Sequence, residues 1–261
     1  MRGKKILITG ATSGFGAGTA IGLANAGHHV TAAGETWQQV RALRERVEAE
    51  GVKHLEVIKL DLFDEIDIAH AADRDIDILV LNAAIQEAGS LVDIPLERVR
   101  RSFDVNVFGH LALVQRVVPA MIKHKSGKVV WVSSQAGLIP LPFLGTYSAT
   151  KHAIEGIAST MRIELAPFNV GVATINPGFY DTGFNETGAE SSRQWSGTRD
   201  VHVPMPPAGL VLKLQKDPQP MIDAMVETIP DPKGAYRTML PEEAIVETKL
   251  AQELGWKTKA S

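Results

Sequence analysis

Tyr147 and Lys151 are spaced so that they could carry out acid–base chemistry together. They are the two ends of Tyr147-Ser-Ala-Thr-Lys151, and on a helix this spacing places both side chains on one face. A nearby ammonium group favours the phenolate and lowers the pKa of a tyrosine from about 10 towards the range of a general acid or base. The chain has 3 tyrosines among 261 residues, so this spacing can also arise by chance and alone does not establish an active site.

A glycine-rich turn near the N-terminus could bind a phosphate group. Residues 5–9 read as a strand and lead into Gly10-Ala-Thr-Ser-Gly14-Phe-Gly16, after which a helix is predicted over 17–26. Glycines in such a turn let the backbone approach a pyrophosphate, whose charge then lies at the helix N-terminus. The spacing differs from the Gly-x-Gly-x-x-Gly fingerprint, so a βα turn without a ligand stays open as an alternative.

The elements that must position these residues form an alternating pattern. Short apolar runs predicted as strands are separated by segments with helical periodicity, which is typical of βαβ units. We therefore predict an α/β fold, a single doubly wound Rossmann-type domain over 1–261 with a mostly parallel sheet of six to seven strands and helices on both faces. The predicted strands are 5–9, 29–33, 55–59, 77–81, 128–132 and 171–175, with 235–239 as an edge strand and helices at 219–228 and 241–254.

Polar or glycine-containing segments follow most of these strands directly. In open α/β sheets the carboxyl ends of the strands are where ligands bind, so this placement favours one shared site. The segments are the turn after the first strand, Asp61 and Leu62 after the third, Asn82-Ala83-Ala84 after the fourth, Ser133-Ser134 after the fifth and Pro177-Gly178 after the sixth.

Taken together, these motifs resemble those of the short-chain dehydrogenase/reductase family over about residues 4–182. The family's Thr-Gly-x-x-x-Gly-x-Gly turn matches residues 9–16, and its Tyr-x-x-x-Lys motif matches Tyr147 and Lys151. Its catalytic serine, 13 residues before the tyrosine, matches Ser134, and its catalytic asparagine matches Asn106.

The resemblance implies a role for each of these four residues. Tyr147 would exchange the proton of the substrate oxygen, and Lys151 would lower the pKa of Tyr147 and bind the nicotinamide ribose. Ser134 would stabilise charge on the substrate oxygen, and Asn106 would position a water that passes the proton towards solvent. The implied reaction moves a hydride between a nicotinamide cofactor and a secondary alcohol or ketone.

The predicted cofactor site combines the turn, the strand ends and the catalytic pair. NAD(H) is the preferred cofactor, with NADP(H) possible, because Gly34-Glu35-Thr36 after the second strand and Ser13 in the turn offer no Lys or Arg for a 2′-phosphate. Family members often carry an acidic residue where Gly34 stands, and Ala84 replaces a usual glycine. The site residues are Gly10, Thr12, Ser13, Gly14, Phe15, Gly16, Glu35, Asp61, Leu62, Asn82, Ala83, Tyr147, Lys151, Pro177, Gly178 and Thr182.

The substrate is expected to be a fairly apolar alcohol or ketone. Residues 177–220, rich in Gly, Pro, Ser and Thr, are predicted to be a long loop with little regular structure that closes over the substrate as a lid. The residues that could wall an apolar pocket are Leu138, Ile139, Leu141, Phe143, Leu144, Phe179, Tyr180, Phe184 and Trp195.

A homodimer or homotetramer is also expected. The helix after Tyr147 has a face of small residues, and relatives in the family pair this helix and the one that contains Asn106 across a two-fold axis. The alternative for this face is packing within the chain. The small residues are Ala149, Ala153, Gly156 and Thr160.

Composition excludes several other classes of function. With 27 Lys+Arg against 30 Asp+Glu and no Cys, the chain has no field suited to nucleic acid or anionic membrane and no thiolate chemistry. No run approaches the ~20 apolar residues of a membrane span, and a cytoplasmic protein is expected. The arginine clusters at 41, 44 and 46 and at 98, 100 and 101 are interpreted as solvated helix faces, and His28-His29 as exposed residues with no metal.

Three other functions fit parts of the pattern. A regulatory protein that binds a dinucleotide without turnover could share the fold, although four intact catalytic positions speak against it. A hydrolase with Ser134 as nucleophile lacks the Gly-x-Ser-x-Gly elbow. A sugar-nucleotide epimerase usually has a larger substrate domain and a different glycine spacing.

Overall fold

A parallel sheet forms the centre of the protein in a computed structural model that describes residues 3–197, 200–206 and 212–259. The strands are β1 Lys5–Ile8, β2 His29–Gly34, β3 Leu55–Lys59, β4 Ile78–Leu81, β5 Gly127–Val132, β6 Val170–Pro177 and β7 Arg237–Leu240. Within the described residues the strand order is β3-β2-β1-β4-β5-β6-β7, and every neighbouring pair is parallel. The predicted parallel sheet, including its edge strand, is confirmed.

Helices cover both faces of the sheet, as predicted. The helices are α1 Gly14–Asn25, α2 Trp37–Ala49, α3 Glu65–Ala72, α4 Leu96–Phe103, α5 His110–His124, α6 Gly145–Leu165, α7 Phe184–Ser196, α8 Gln219–Thr228 and α9 Glu242–Gly255. Alternate strand residues point to opposite faces, so Leu7 joins the core beneath α3, α5 and α6, whereas Ile6 and Ile8 join the core beneath α1, α2 and α8.

Helices α4 and α5 are joined by a π-helical segment, Asp104–Gly109, into one continuous helical run. This run, Leu96–His124, contains a window of 18 residues that is long and apolar enough to cross a membrane, although the sequence predicted no such stretch. Half of the window is buried inside the protein, because α5 packs its apolar stripe against the sheet. That arrangement is typical of a core helix.

Helix α7 differs from the prediction for residues 177–220. Little regular structure was expected there, but Phe184–Ser196 is helical. Buried Gly188, Ser192 and Trp195 recur at helical spacing, and a Cβ on Gly188 would lie 2.6 Å from the Gln86 amide nitrogen. The helix therefore gains its stability from packing on the loop after β4, a contact that composition does not reveal. Residues 198–199 and 207–211 of the predicted lid lie outside the described residues.

Candidate functional site

A cleft of ≈ 730 Å³ opens at the carboxyl ends of the strands. The switch in strand order between β1 and β4 divides it into two parts. The cleft is lined by every residue of the predicted cofactor site, Gly10, Thr12, Ser13, Gly14, Phe15, Gly16, Glu35, Asp61, Leu62, Asn82, Ala83, Tyr147, Lys151, Pro177, Gly178 and Thr182, and by Ser134 and Ala84.

The glycine-rich turn approaches its neighbours too closely for other side chains. Gly10 has a φ of 60°, and a Cβ there would lie 2.6 Å from the Ala83 Cα. A Cβ on Gly16 would lie 2.3 Å from the Gly10 carbonyl oxygen. Ser13 caps α1 without using its side chain, which leaves the first N–H groups of the helix for a ligand. This cradle fits the pyrophosphate of a dinucleotide.

The loop after β4 is tied to this turn by Asn82. Its side-chain amide donates to the carbonyl oxygens of Thr9 at 3.0 Å and Gly10 at 2.9 Å. Its backbone N–H donates to the Thr9 hydroxyl at 2.9 Å. Asn82 thus fixes the floor between the two parts of the cleft.

The part of the cleft beyond β2 and β3 is acidic. Glu35, Gln39 and Asp61 line it, and none of the lining residues between 10 and 63 is Lys or Arg. The Asp61 carboxylate accepts a hydrogen bond from the Phe63 backbone N–H at 2.9 Å, which holds it in place. Arg41, on α2, is not among the residues that line the cleft.

Tyr147, Ser134 and Lys151 meet where β5 and α6 approach each other. Ser134 follows β5, and Tyr147 and Lys151 lie in the first two turns of α6. Tyr147 is 8% exposed and Lys151 only 2%. The Lys151 Nζ donates to the Val132 carbonyl oxygen at 2.8 Å and lies 5.4 Å from the centroid of the Tyr147 ring.

Burial controls the charge of this pair. It raises the pKa of Tyr147 well above its usual value of 10, an effect only partly offset by a hydrogen bond with Ser134. It lowers the pKa of Lys151 to about 7. The pKa of Tyr147 is thus shifted in the direction opposite to the lowering predicted for Lys151, because the loss of hydration on burial disfavours the phenolate. The predicted role of Lys151 stays a prediction. Tyr147 is a neutral phenol, the form that donates a proton.

Asn106 is fully buried and does not line the cleft. Its Oδ1 accepts from the Ile85 N–H at 2.8 Å, while its Nδ2 donates to the Ile85 carbonyl at 2.9 Å and to the Thr150 hydroxyl at 3.1 Å. The side chain therefore ties the loop after β4 to α6. Its predicted part in a proton relay stays a prediction, and the Asn106 side chain is already committed to these three bonds.

His110 completes a buried polar network that the sequence analysis missed. The Thr9 hydroxyl accepts from the N–H groups of Asn82 at 2.9 Å and Ala83 at 3.0 Å, so its single proton goes to the His110 Nε2 at 2.9 Å. His110 Nδ1 then carries the ring proton and donates to the Asn106 carbonyl at 3.2 Å. The signal in the sequence was a histidine four residues after Asn106, on the same helical face.

The predicted apolar pocket is present only in part. Leu141, Leu144, Phe179, Tyr180 and Phe184 line the cleft, and the Phe184 ring lies 5.6 Å from that of Tyr147. Among the predicted pocket residues that do not line the cleft, Trp195 packs beneath α7 against Gly89. The others are Leu138, Ile139 and Phe143.

The far end of the cleft is polar, contrary to the prediction. Arg98, interpreted from the sequence as part of a solvated face, donates from Nη1 to both carboxylate oxygens of Glu87, at 3.2 and 3.0 Å, and to the Ser191 hydroxyl at 2.8 Å. Ser191 also donates to Glu87. Arg98 paired with an acid on another element because that acid, Glu87, is buried and needs a partner, a relation that charge spacing on one helix cannot show.

Comparison with known proteins supports the interpretation of these motifs. Residues 4–192 match the family model described as short chain dehydrogenase. The chain belongs to the short-chain dehydrogenase/reductase family. It is 38% identical over 193 residues to the uncharacterized oxidoreductase YusZ of Bacillus subtilis, a match covering 72% of this chain and 69% of that protein. It is 32% identical over 192 residues to the 3-ketodihydrosphingosine reductase of Bacteroides thetaiotaomicron, covering 71% and 67%.

Some relatives in the family are longer than the matched region. The match to dehydrogenase/reductase SDR family member 7B of Xenopus laevis, 32% identical over 210 residues, spans 65% of that protein and 76% of this chain. The chain thus covers less than two thirds of that relative.

Solved structures of short-chain dehydrogenases share the whole fold. One from Streptomyces avermitilis is 26% identical with a TM-score of 0.77, covering 98% of this chain and 96% of its own. One from Burkholderia phymatum in complex with NAD is 22% identical with a TM-score of 0.82, covering 99% and 96%. One from Sphingobium yanoikuyae in complex with NADPH is 22% identical with a TM-score of 0.76, covering 99% and 96%. The last two show likeness of fold alone.

Proposed function

We propose that this oxidoreductase interconverts a secondary alcohol and a ketone with NAD(H) or NADP(H), and that Tyr147 is its general acid and base. The observation that carries the proposal is that Ser134, Tyr147 and Lys151 line the same cleft as the glycine-rich turn. The name of one relative, 3-ketodihydrosphingosine reductase, describes a carbonyl reduction, which supports the same reaction class.

The residues of the chain divide the work by their chemistry. A nicotinamide cofactor, when bound, supplies or accepts the hydride. In reduction, the neutral Tyr147 phenol gives its proton to the carbonyl oxygen, and in oxidation the phenolate takes it back. The Ser134 hydroxyl donates a hydrogen bond to the same oxygen and stabilises the charge that develops there. Lys151 would hold the ribose of the cofactor.

Replacing Tyr147 tests the proposal. Tyr147→Phe removes the proton that Tyr147 donates but keeps the ring, so turnover of a ketone should fall by at least ~10² while NADH or NADPH still binds. Tyr236→Phe is the matched control, because the Tyr236 hydroxyl does not line the cleft. The measurement is nicotinamide absorbance during turnover, with cofactor binding followed by fluorescence. Turnover of Tyr147→Phe within threefold of the wild type would sink the proposal.

We further propose that NAD(H) is the preferred cofactor. Glu35 and Asp61 line the adenosine part of the cleft, and no basic residue lines it between 10 and 63. A carboxylate can accept hydrogen bonds from the ribose 2′-hydroxyl but repels a 2′-phosphate. At about 4 Å and an effective dielectric near 20 this repulsion reaches roughly 4 kcal/mol, less where solvent and salt screen it.

The preference is measured as the ratio of kcat/KM for NADH to that for NADPH. We expect a ratio of roughly ten or more in the wild type, and a shift towards NADPH in Glu35→Arg, which places a cation where the acid was. Equal or better use of NADPH by the wild type would overturn the assignment.

A further inference from the structure

The cleft continues past Tyr147 into a pocket between α4 and α7, and the lining of this pocket is more polar than the lining near Tyr147. Near the reactive tyrosine the lining is apolar, with Leu141, Leu144 and Phe184. Farther along, polar side chains from three elements line it, the loop after β4, α4 and α7. We call these residues the polar end of the cleft: Gln86, Glu87, Arg98, Arg101, Ser191 and Gln194.

Two arginines of α4 lie on one face of the polar end. Arg98 and Arg101 are three residues apart, so their side chains share a helix face, and both line the cleft. The charge of Arg98 is matched by Glu87, whose side chain is only 6% exposed. In the part of the chain that the structure describes, no hydrogen bond or ion pair engages the Arg101 guanidinium. Glu190 also lines the cleft, and both Arg101 and Glu190 are exposed, so solvent screens both charges.

A guanidinium group that has no partner among the described residues and lies at the wall of a cleft is suited to bind an oxyanion. Arginine binds carboxylate or phosphate oxygens through two parallel N–H bonds, and the side-chain amides of Gln86 and Gln194 add further donors. We propose that the polar end binds an anionic group of the substrate, with Arg101 as the residue that determines specificity. This inference rests on the proposed function and defines its substrate as a ketone or secondary alcohol that carries a carboxylate or phosphate-type group.

The length of α7 sets the distance between the two groups. Phe184 contacts the ring of Tyr147 at one end of this helix, and Ser191 lies seven residues later at the polar end. At about 1.5 Å per residue, Phe184 and Ser191 are roughly 10 Å apart along the helix axis, which gives the scale of the distance between the reacting carbon and the anion. The substrate therefore has an apolar spacer of several carbons, which the apolar lining between the two ends accommodates.

The test compares charged and neutral forms of one ketone. The probes are 7-oxooctanoate, its methyl ester and the matching phosphonate, each reduced by the wild type and by Arg101→Gln. We expect the wild type to have a kcat/KM for the acid at least about tenfold above that for the ester, a difference of about 1.4 kcal/mol. In Arg101→Gln the ratio of kcat/KM for the acid to kcat/KM for the ester should fall by about tenfold, because KM for the acid rises. A preference for the phosphonate over the acid would identify a phosphate-type group as the anion.

Arg100→Gln is the matched control, since it removes the same charge from the same helix at a residue that does not line the cleft. It should retain the wild-type ratio. The inference would be overturned if the wild type reduced the ester with the same kcat/KM as either anion. It would also be overturned if Arg100→Gln and Arg101→Gln changed the ratio of kcat/KM for the acid to that for the ester equally.

Binding gives a readout that does not require turnover. In the complex with NADH, calorimetry should show that 7-oxooctanoate or the phosphonate binds at least about tenfold more tightly to the wild type than to Arg101→Gln. The inference would be overturned if, for each of the two anions, the wild type and Arg101→Gln had the same affinity. NADH affinity should be the same in both proteins, because Arg101 lies outside the cofactor part of the cleft. If ketones are reduced through Tyr147 without a preference for anions, only this inference fails. If no ketone is reduced, the proposed reaction fails, and the binding result still decides the anion site.

Discussion

Lys151 is buried in the fold, and this burial disfavours the charged form of its side chain. Burial lowers its pKa from 10.5 to about 7, so between these two values the unfolded chain binds more protons than the folded one. Stability therefore rises with pH across this window, and the cost of burying the ammonium is greatest below pH 7. The Nζ hydrogen bond to Val132 offsets only part of that cost.

Replacing Lys151 by methionine should show this cost directly. Without cofactor, the free energy of unfolding of Lys151→Met minus that of the wild type should decrease by about 3 kcal/mol between pH 7 and pH 9.5, because the wild type loses its penalty as the lysine deprotonates. Urea unfolding at several pH values measures it. Lys233→Met, at an exposed lysine, is the control. If the difference in free energy of unfolding between Lys151→Met and the wild type does not change with pH, the pKa of Lys151 is not lowered by burial.

At the scale of single elements, α7 is held to the rest of the protein by the hydrogen bonds among Glu87, Arg98 and Ser191. The Ser191 hydroxyl both accepts from Arg98 and donates to the buried Glu87 carboxylate. Hydrogen bonds to charged groups contribute about 1.5–3 kcal/mol. The movement of α7 as a lid over substrate would have to begin by breaking this cluster.

Ser191→Ala should therefore loosen α7 without unfolding the protein. Amide hydrogen exchange of residues 184–196 should become about tenfold faster or more, the factor that 1.4 kcal/mol gives. Thr187→Ala loses only a hydrogen bond to the Gly183 carbonyl within the same segment, so it should change the exchange rate of residues 184–196 less. If exchange in α7 is the same in the wild type and in Ser191→Ala, the cluster does not hold the helix.

The elements differ in how far the sequence could predict them. The strands were predicted because each is a continuous apolar run between polar turns, and the cofactor residues because they follow strands of one parallel sheet. The partners of the Asn106 and Arg98 side chains, Ile85 and Glu87, were not predicted, since they lie on a different element. Helix α7 was missed for the same reason, because its buried face is defined by Gln86 and Gly89.

For the molecule as a whole, most of the small-residue face of α6 is left uncovered by the residues that the structure describes. Ala149, Gly156 and Thr160 are exposed, and no atom lies within 4 Å of a Cβ placed on Gly156. Packing among the described residues therefore does not explain this face. Two exposed side chains add apolar surface, Ile163 on α6 and Phe108 on the π-helical segment before α5. This surface supports the proposed homo-oligomer.

An arginine on this face should separate the subunits. Gly156→Arg adds a long charged side chain where close helix approach is expected, so light scattering at micromolar concentration should give a dimer or tetramer for the wild type and a monomer for the variant. Circular dichroism checks that the variant is folded. A wild type that is monomeric at this concentration would reject the assembly.

The tautomer of His110 determines how the pH dependence of the whole enzyme is to be interpreted. Its Nε2 receives the Thr9 proton, and burial, the largest cause, lowers its pKa to about 3, so the ring stays neutral throughout the range in which the protein is folded and assayed. An inflection of activity with a midpoint of about 6.5 to 7 is commonly assigned to a histidine. No histidine is among the described residues that line the cleft, and burial brings the pKa of Lys151 to about 7. We therefore expect such an inflection to report the ammonium of Lys151, at the value expected of an imidazole.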